Sequence, residues 1–211
     1  MKTLEIIKKS KIIAIARGVY GEELLSASLA LYEGGVRAFE VTFTEDVLRD
    51  RIAECIARLN DGLPDDCTVG AGTVLSPEEV RIAYDAGARL IVSPNTSRGV
   101  IEETKRLGML SIPGAMTPTE IVFAHDCGAD IVKLFPAGAL GLEYFKAVRA
   151  PLKHIPLAAV AGITPENIGE FYWAGAAAFG ISSSLYLKKA IGEGRYGQIT
   201  EAARKFYKAL S

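Results

Sequence analysis

Cysteine, histidine and tryptophan are scarce in this chain: three, two and one among 211 residues. Cys55, Cys67 and Cys127 are an odd number without CxxC spacing, so neither a disulfide framework nor a zinc site is indicated and reduced thiols fit an intracellular compartment. His125 and His154 cannot build a three-histidine metal site, and neither has an acidic partner at ligand spacing, so no metal is expected. An excess of one charge is missing too. The net charge of −1, with signs interspersed, leaves no basic stripe for nucleic acid and no polybasic surface for a membrane. No stretch approaches the roughly 18 apolar residues of a membrane span, and the opening Met1-Lys2-Thr3-Leu4-Glu5-Ile6-Ile7-Lys8-Lys9-Ser10 is too short and too charged for a signal peptide. A cytoplasmic location and small-molecule partners are therefore expected. With no linker or low-complexity run to divide it, residues 1–211 read as one domain, and 49% apolar content is enough for a sizeable core.

What the chain does have is a repeated signature: a helical segment ends at glycine, one or two small residues follow, and a hydrophobic run begins. It appears at Tyr32-Glu33-Gly34-Gly35-Val36, Asp85-Ala86-Gly87-Ala88, Asp126-Cys127-Gly128-Ala129 and Trp173-Ala174-Gly175-Ala176. Glycine suits the left-handed helix C-cap, and each run that follows suits a strand buried on both faces. After a short leading helix, the predicted strands are Ile12–Arg17, Ala38–Phe43, Thr68–Ala71, Leu90–Ser93, Leu110–Pro113, Ala129–Pro136, Leu157–Val160 and Ala177–Ile181. Helices are expected from Glu22 to Tyr32, Asp46 to about Leu59, Ser97 to Leu107, Leu142 to Arg149 and Gln198 to Leu210. Others begin at Ser76-Pro77-Glu78-Glu79, Thr117-Pro118-Thr119-Glu120 and Thr164-Pro165-Glu166-Asn167, with proline at the first helical position. Eight strands alternating with covering helices predict a closed (β/α)8 (TIM) barrel with a short N-terminal helix, because closure leaves no parallel edge exposed. A doubly wound open sheet would call for a G-x-G-x-x-G turn after the first strand, which Arg17-Gly18-Val19-Tyr20-Gly21 is not.

Two charges sit inside predicted strands. Ala129-Asp130-Ile131-Val132-Lys133-Leu134-Phe135-Pro136 puts an ammonium in the middle of an apolar run, where burial costs several kcal/mol unless the charge is paired or given up. Alternation places Ile131, Lys133 and Phe135 on one face, and Ala38, Glu40 and Thr42 together on another strand. An acid and an amine pointing into one enclosed space shift each other's protonation, as an amine nucleophile with a proton shuttle requires. Burial favours a neutral Lys133 while a nearby Glu40 carboxylate favours the ammonium, so residue types alone fix neither pKa.

In a barrel the active site lies at the C-terminal strand ends, which here carry Arg17, Glu40, Thr42, Gly72, Thr73, Ser93, Pro94, Asn95, Pro113, Gly114, Lys133, Ala161, Gly162, Ser182, Ser183 and Ser184. Val69-Gly70-Ala71-Gly72-Thr73-Val74, Pro113-Gly114-Ala115-Met116-Thr117-Pro118 and Val132-Lys133-Leu134-Phe135-Pro136, together with Glu40-Val41-Thr42, resemble the KDPG/KHG aldolases over nearly the whole chain. The resemblance implies a class I lyase, without cofactor, that cleaves 2-keto-3-deoxy-6-phosphogluconate to pyruvate and glyceraldehyde 3-phosphate. It assigns Lys133 to the Schiff base, Glu40 to proton transfer and Thr73 to the pyruvyl carboxylate. Pro94, Pro113 and Phe135 would form the apolar wall, and a homotrimer is implied.

Two departures qualify the likeness. Thr44 stands where many members have a carboxylate-binding arginine, and Arg17, at the end of the neighbouring strand, is expected to take that role. Around the phosphate, Val160-Ala161-Gly162-Ile163 and Ile181-Ser182-Ser183-Ser184 replace glycine-rich turns, which narrows backbone approach or forbids a positive φ. Beside Gly162, the three hydroxyls of Ser182, Ser183 and Ser184 are expected to compensate as donors. The galactonate epimer and 4-hydroxy-2-oxoglutarate stay open as substrates, and a non-catalytic or isomerase-type sugar-phosphate-binding barrel is the reading from another class.

Overall fold

A computed structural model describes residues 3–210; the range 1–211 exceeds this by Met1, Lys2 and Ser211, which lie outside the described residues. The chain runs α1 (Thr3–Ser10), β1 (Ile12–Ala16), α2 (Gly21–Glu33), β2 (Ala38–Thr42), α3 (Arg49–Gly62), β3 (Thr68–Gly72), α4 (Pro77–Asp85), β4 (Leu90–Val92), α5 (Arg98–Arg106), β5 (Leu110–Ile112) and β6 (Gly114–Ala115). It continues with α6 (Pro118–Asp126), β7 (Val132–Leu134), α7 (Ala137–Leu140), α8 (Leu142–Arg149), β8 (Leu157–Val160), α9 (Ile168–Trp173), β9 (Ala178–Ile181), α10 (Lys188–Gly192) and α11 (Tyr196–Ala209).

The sheet is parallel throughout, in the order β5-β4-β3-β2-β1-β9-β8-β7-β6. Its two ends are one piece of chain. Pro113 has no N–H to give the ladder, so the predicted fifth strand ends one residue early as β5, which pairs with β4, and β6, beyond the predicted bound, resumes after it and pairs with β7. Around Pro113, Ile131 N donates to Ser111 O (3.4 Å) and Lys133 N to Pro113 O (2.9 Å), which closes the ring. The (β/α)8 barrel therefore holds with nine strand segments in place of eight.

Strand alternation sorts the buried residues into two separate layers. Phe39, Val41, Val132, Leu134 and Phe179 belong to the outer layer between sheet and helices, whereas Ile13, Ile15, Ala38, Leu90, Ile112, Ile131, Ala158 and Val160 fill the barrel. Leu4 and Ile7 of α1 pack into the same interior from the N-terminal ends of the strands. Burying Ile7 completely contributes about 1.5–3 kcal/mol, and α1 closes that end of the barrel.

Several boundaries differ from expectation. The helix expected from Asp46 starts at Arg49, and the strand holding Lys133 shrinks from the predicted 129–136 to three residues. The Thr164-Pro165 signal does not open a helix at once. Asn167 accepts from Thr164 N (2.9 Å) and donates to Gly162 O (2.9 Å), so its amide stabilises a turn and delays α9 to Ile168. By contrast, the capping box of Thr117 and Glu120 starts α6 where the sequence places it. The short helices α7 and α10 have no counterpart in the sequence pattern.

Candidate active site

β7 and β2 both direct a charge inward. Lys133 is 6% exposed and Glu40 2%, each set among the barrel-filling residues of its strand, as alternation predicts. Neither forms a side-chain hydrogen bond or an ion pair within 4.0 Å among the described residues, so the two act on each other through space. Burial pushes the Glu40 carboxyl above the usual carboxylate value, opposed by the charges of Lys133 and then Arg17. Burial likewise pulls the Lys133 amine below the usual lysine value, opposed by Glu40 and assisted by Arg17. Desolvation is the larger influence on both. An amine that gives up its proton more readily is a better nucleophile toward a carbonyl. Its Nζ stands 4.8 Å from the centroid of the half-buried Phe135 ring.

Arg17 and Thr73 converge from the strand ends on either side of β2. Arg17 Nη2 donates to Thr73 Oγ1 at 3.0 Å. Thr73 sits in the left-handed region at φ +57°, a conformation that costs a residue with a Cβ about 1–2 kcal/mol. Its hydroxyl does not cap the next helix, because Ser76 takes that role by accepting from Glu79 N at 3.2 Å. A guanidinium and a hydroxyl side by side at the rim form a receptor for a carboxylate. Pro94 is half-buried in the neighbouring loop, held over β6 by the hydrogen bond from Gly114 N to Asn95 O (3.2 Å). Next to Thr73, Phe43, Thr44, Leu48 and Leu75 line a cleft of about 620 Å³.

At β8, Ala161 adopts φ +71° and Gly162 φ +73°. The expectation that losing glycine forbids the left-handed turn is thus corrected: Ala161 adopts it with strain, in a turn that Asn167 and the bond from Gly138 N to Ala161 O (2.8 Å) hold in shape. Gly162 is exposed, and so is Ser183 in the turn after β9. Ser182 Oγ is committed to Ile15 O at 2.9 Å, tying β9 to β1. Ser184 lines a cleft with Pro165, Gln198 and Lys205 on the flank of α11, apart from the Arg17–Thr73 pair.

Two contributors escape sequence reasoning. Lys188 lies beyond β9, yet a Cβ placed on Gly18 would stand 3.0 Å from its Nζ, so its ammonium hangs over the end of β1. Nothing in the spacing of residues 182–188 signals that reach. Val160, 6% exposed, faces the interior at the end of β8, which alternation from Ala158 would have flagged. Among the described residues no group of three His, Cys, Asp or Glu is placed to hold a metal ion. His125 and His154 meet edge to face at 5.7 Å, at the opposite end of the barrel from Lys133. No described helix is long and apolar enough to cross a membrane.

Residues 4–202 match the family described as KDPG and KHG aldolase. The 2-dehydro-3-deoxy-6-phosphogalactonate aldolase of Escherichia coli K12 is 37% identical over 84% of this chain and 85% of its own. The 2-dehydro-3-deoxy-phosphogluconate aldolase of Treponema pallidum is 33% identical, over 79% and 78% of the two chains. The solved KDPG aldolase of Legionella pneumophila, with pyruvate captured as a covalent carbinolamine intermediate, superposes with a TM-score of 0.85 at 25% identity, covering 97% of each chain.

Proposed function

The chain belongs to the KDPG and KHG aldolase family, and from that premise we propose that it is a Schiff-base aldolase cleaving 2-keto-3-deoxy-6-phosphogalactonate to pyruvate and glyceraldehyde 3-phosphate. The observation that carries the reading is the pair of buried charges, Lys133 and Glu40, turned into one enclosure without contact between them. Lys133 Nζ, as the free amine, adds to the C2 ketone; the carbinolamine takes up a proton from Glu40 and loses water to give the iminium. Glu40, now a carboxylate, accepts the C4 hydroxyl proton. The C3–C4 bond breaks as the C4 oxygen forms the aldehyde, and its electron pair moves into the iminium to give the enamine. Glu40 returns the proton to C3, and water hydrolyses the resulting pyruvyl iminium, freeing pyruvate and Lys133. The iminium is the electron sink throughout.

Arg17 and Thr73 are positioned to hold the substrate carboxylate, with Phe135 and Pro94 as the apolar wall beside its methylene. For the phosphate at the far end, the exposed turn at Gly162, the Ser183 hydroxyl and the Lys188 ammonium supply donors and charge. Preference for the galactonate epimer is supported by the 37% identical relative of that name; the 33% identical relative favours the gluconate epimer as the second reading. The homotrimer belongs to this proposal as well. Leu48 is 81% exposed and Leu75 55%, apolar surface that assembly would cover.

Turnover on the two epimers and on 4-hydroxy-2-oxoglutarate, each followed by coupling released pyruvate to lactate dehydrogenase, tests the reading. The highest kcat/KM is expected for the galactonate epimer. Release of pyruvate from none of the three would end the aldolase reading, and a higher kcat/KM for the gluconate epimer would replace the substrate.

A further inference from the structure

Gly72 ends β3 on the interior face, directly before Thr73, and the Glu40 side chain lies over its bare backbone. A Cβ built at Gly72 would stand 1.6 Å from Glu40 Oε1, 2.3 Å from Cδ and 2.6 Å from Cγ. Three successive atoms overlap, so rotating the carboxyl about its last bond does not relieve the clash. In the β2–β3 register Glu40 lies opposite Gly70, and Gly72 is two residues further on opposite Thr42. The Glu40 side chain therefore leans along the strand direction onto the neighbouring strand, an orientation open to it only because position 72 is bare. So held, the carboxyl makes no ion pair with Lys133.

We propose that Gly72 is a positioning residue for the aldol reaction: having no side chain, it holds Glu40 against β3 and away from Lys133, leaving the gap in which the keto acid is held. This deepens the Schiff-base reading and rests on it. The charged groups acting on Glu40 are Lys133 from β7 and Arg17 from the end of β1; those acting on Lys133 are Glu40 and Arg17. A methyl at position 72 drives the carboxyl off β3 toward the barrel axis, where Lys133, the stronger of the two cations acting on it, draws it into a direct pair. The ammonium form is then favoured, and the free amine needed for attack becomes scarce near neutral pH. Gly70 makes a useful contrast, since a Cβ there would meet Leu90 Cγ at 2.3 Å, an apolar clash with no bearing on charge.

The test compares wild type, Gly72→Ala, Glu40→Asp and the double variant in pyruvate release as a function of pH, and in borohydride trapping of pyruvate. A displacement on the order of 1 Å is worth about 10²-fold in turnover. Gly72→Ala is expected to lose about that much near neutrality, with trapping recovering as pH rises. Aspartate keeps a Cγ, 2.6 Å from the built Cβ, but its shorter side chain can turn about Cα–Cβ away from position 72, so Gly72→Ala/Glu40→Asp is expected to exceed Gly72→Ala in turnover and to approach Glu40→Asp. Where Gly72→Ala fails to fold, a folded double variant with the turnover of Glu40→Asp supports the proposal. A double variant that also fails to fold, or that falls well below Glu40→Asp, overturns it. So does a Gly72→Ala enzyme with the wild-type pH profile. Loss of the Schiff-base reading itself looks different, because wild type would then trap no pyruvate at all.

Discussion

Exchanging both interior charges for apolar side chains of similar size, Lys133→Met with Glu40→Met, is expected to make the protein more stable. The two groups are 6% and 2% exposed, and no hydrogen bond or ion pair within 4.0 Å among the described residues offsets their loss of water. Replacing buried charge pairs by well-packed apolar groups of similar volume is often neutral or gains about 1–4 kcal/mol, and this pair, lacking direct contact, belongs in the middle of that range, near about 2 kcal/mol. Either single change is expected to gain less, since it removes the attraction that steadies the charge left behind. The pH dependence follows from the directions of the shifts. Glu40 titrates above the ordinary 4.5 in the folded state, so its contribution to stability is fully present below 4.5 and is lost as pH rises through the folded value. Lys133 titrates below the ordinary 10.5, so its contribution is present above 10.5 and is lost as pH falls through the folded value. Wild type thus bears both costs in the neutral range. Urea unfolding at neutral pH measures the gain directly, and thermal scans should show a rise of about 4–8 °C at the size of this chain, fading toward acid and alkaline pH. A double variant less stable than wild type by about 1 kcal/mol or more, beyond the usual error of extrapolation, would refute the reasoning. A gain that does not vary with pH would assign it to packing instead.

Two further outcomes probe the rim. Arg17→Met removes a guanidinium placed to bind a carboxylate, a contact worth about 1.5–3 kcal/mol, so KM is expected to rise by about 10- to 10²-fold with a smaller change in kcat; an unchanged KM would assign Arg17 to packing on Thr73 alone. Ala161→Gly relieves about 1–2 kcal/mol of left-handed strain against about 0.5–1 kcal/mol of added chain entropy, so a small rise in Tm is expected, and a fall would mean that the turn at φ +71° is not strained.

Which parts of the barrel and its site could be read beforehand depends on how local their causes are. Period-two alternation is a property of each strand alone, so the inward direction of Lys133 and Glu40 was legible from a charge standing in an apolar run. The proline-led starts at Pro77 and Pro118 were legible for the same reason, since the cap and the capped N–H lie within four residues. Pro113 was visible in the sequence, but its effect was not: which neighbour the segment on either side of it pairs with is set by ring closure, a property of the whole sheet. Asn167 looked like part of a helix start because its partners, Gly162 O and Thr164 N, come together only once the loop has folded. The space over Gly72 and the reach of Lys188 to Gly18 are contacts between strands or loops distant in sequence, and no spacing rule encodes them. At Ala161 the residue type pointed the wrong way, because the surrounding turn imposes a conformation that alanine alone disfavours.

The proposed reaction depends on a covalent bond between one buried amine and a keto acid. Incubating the protein with pyruvate and borohydride, then mapping its peptides by mass spectrometry, tests that bond directly. A reduced adduct is expected on the peptide carrying Lys133, and none on the Lys133→Met variant. An unmodified wild type, or an adduct that persists in Lys133→Met, would contradict it.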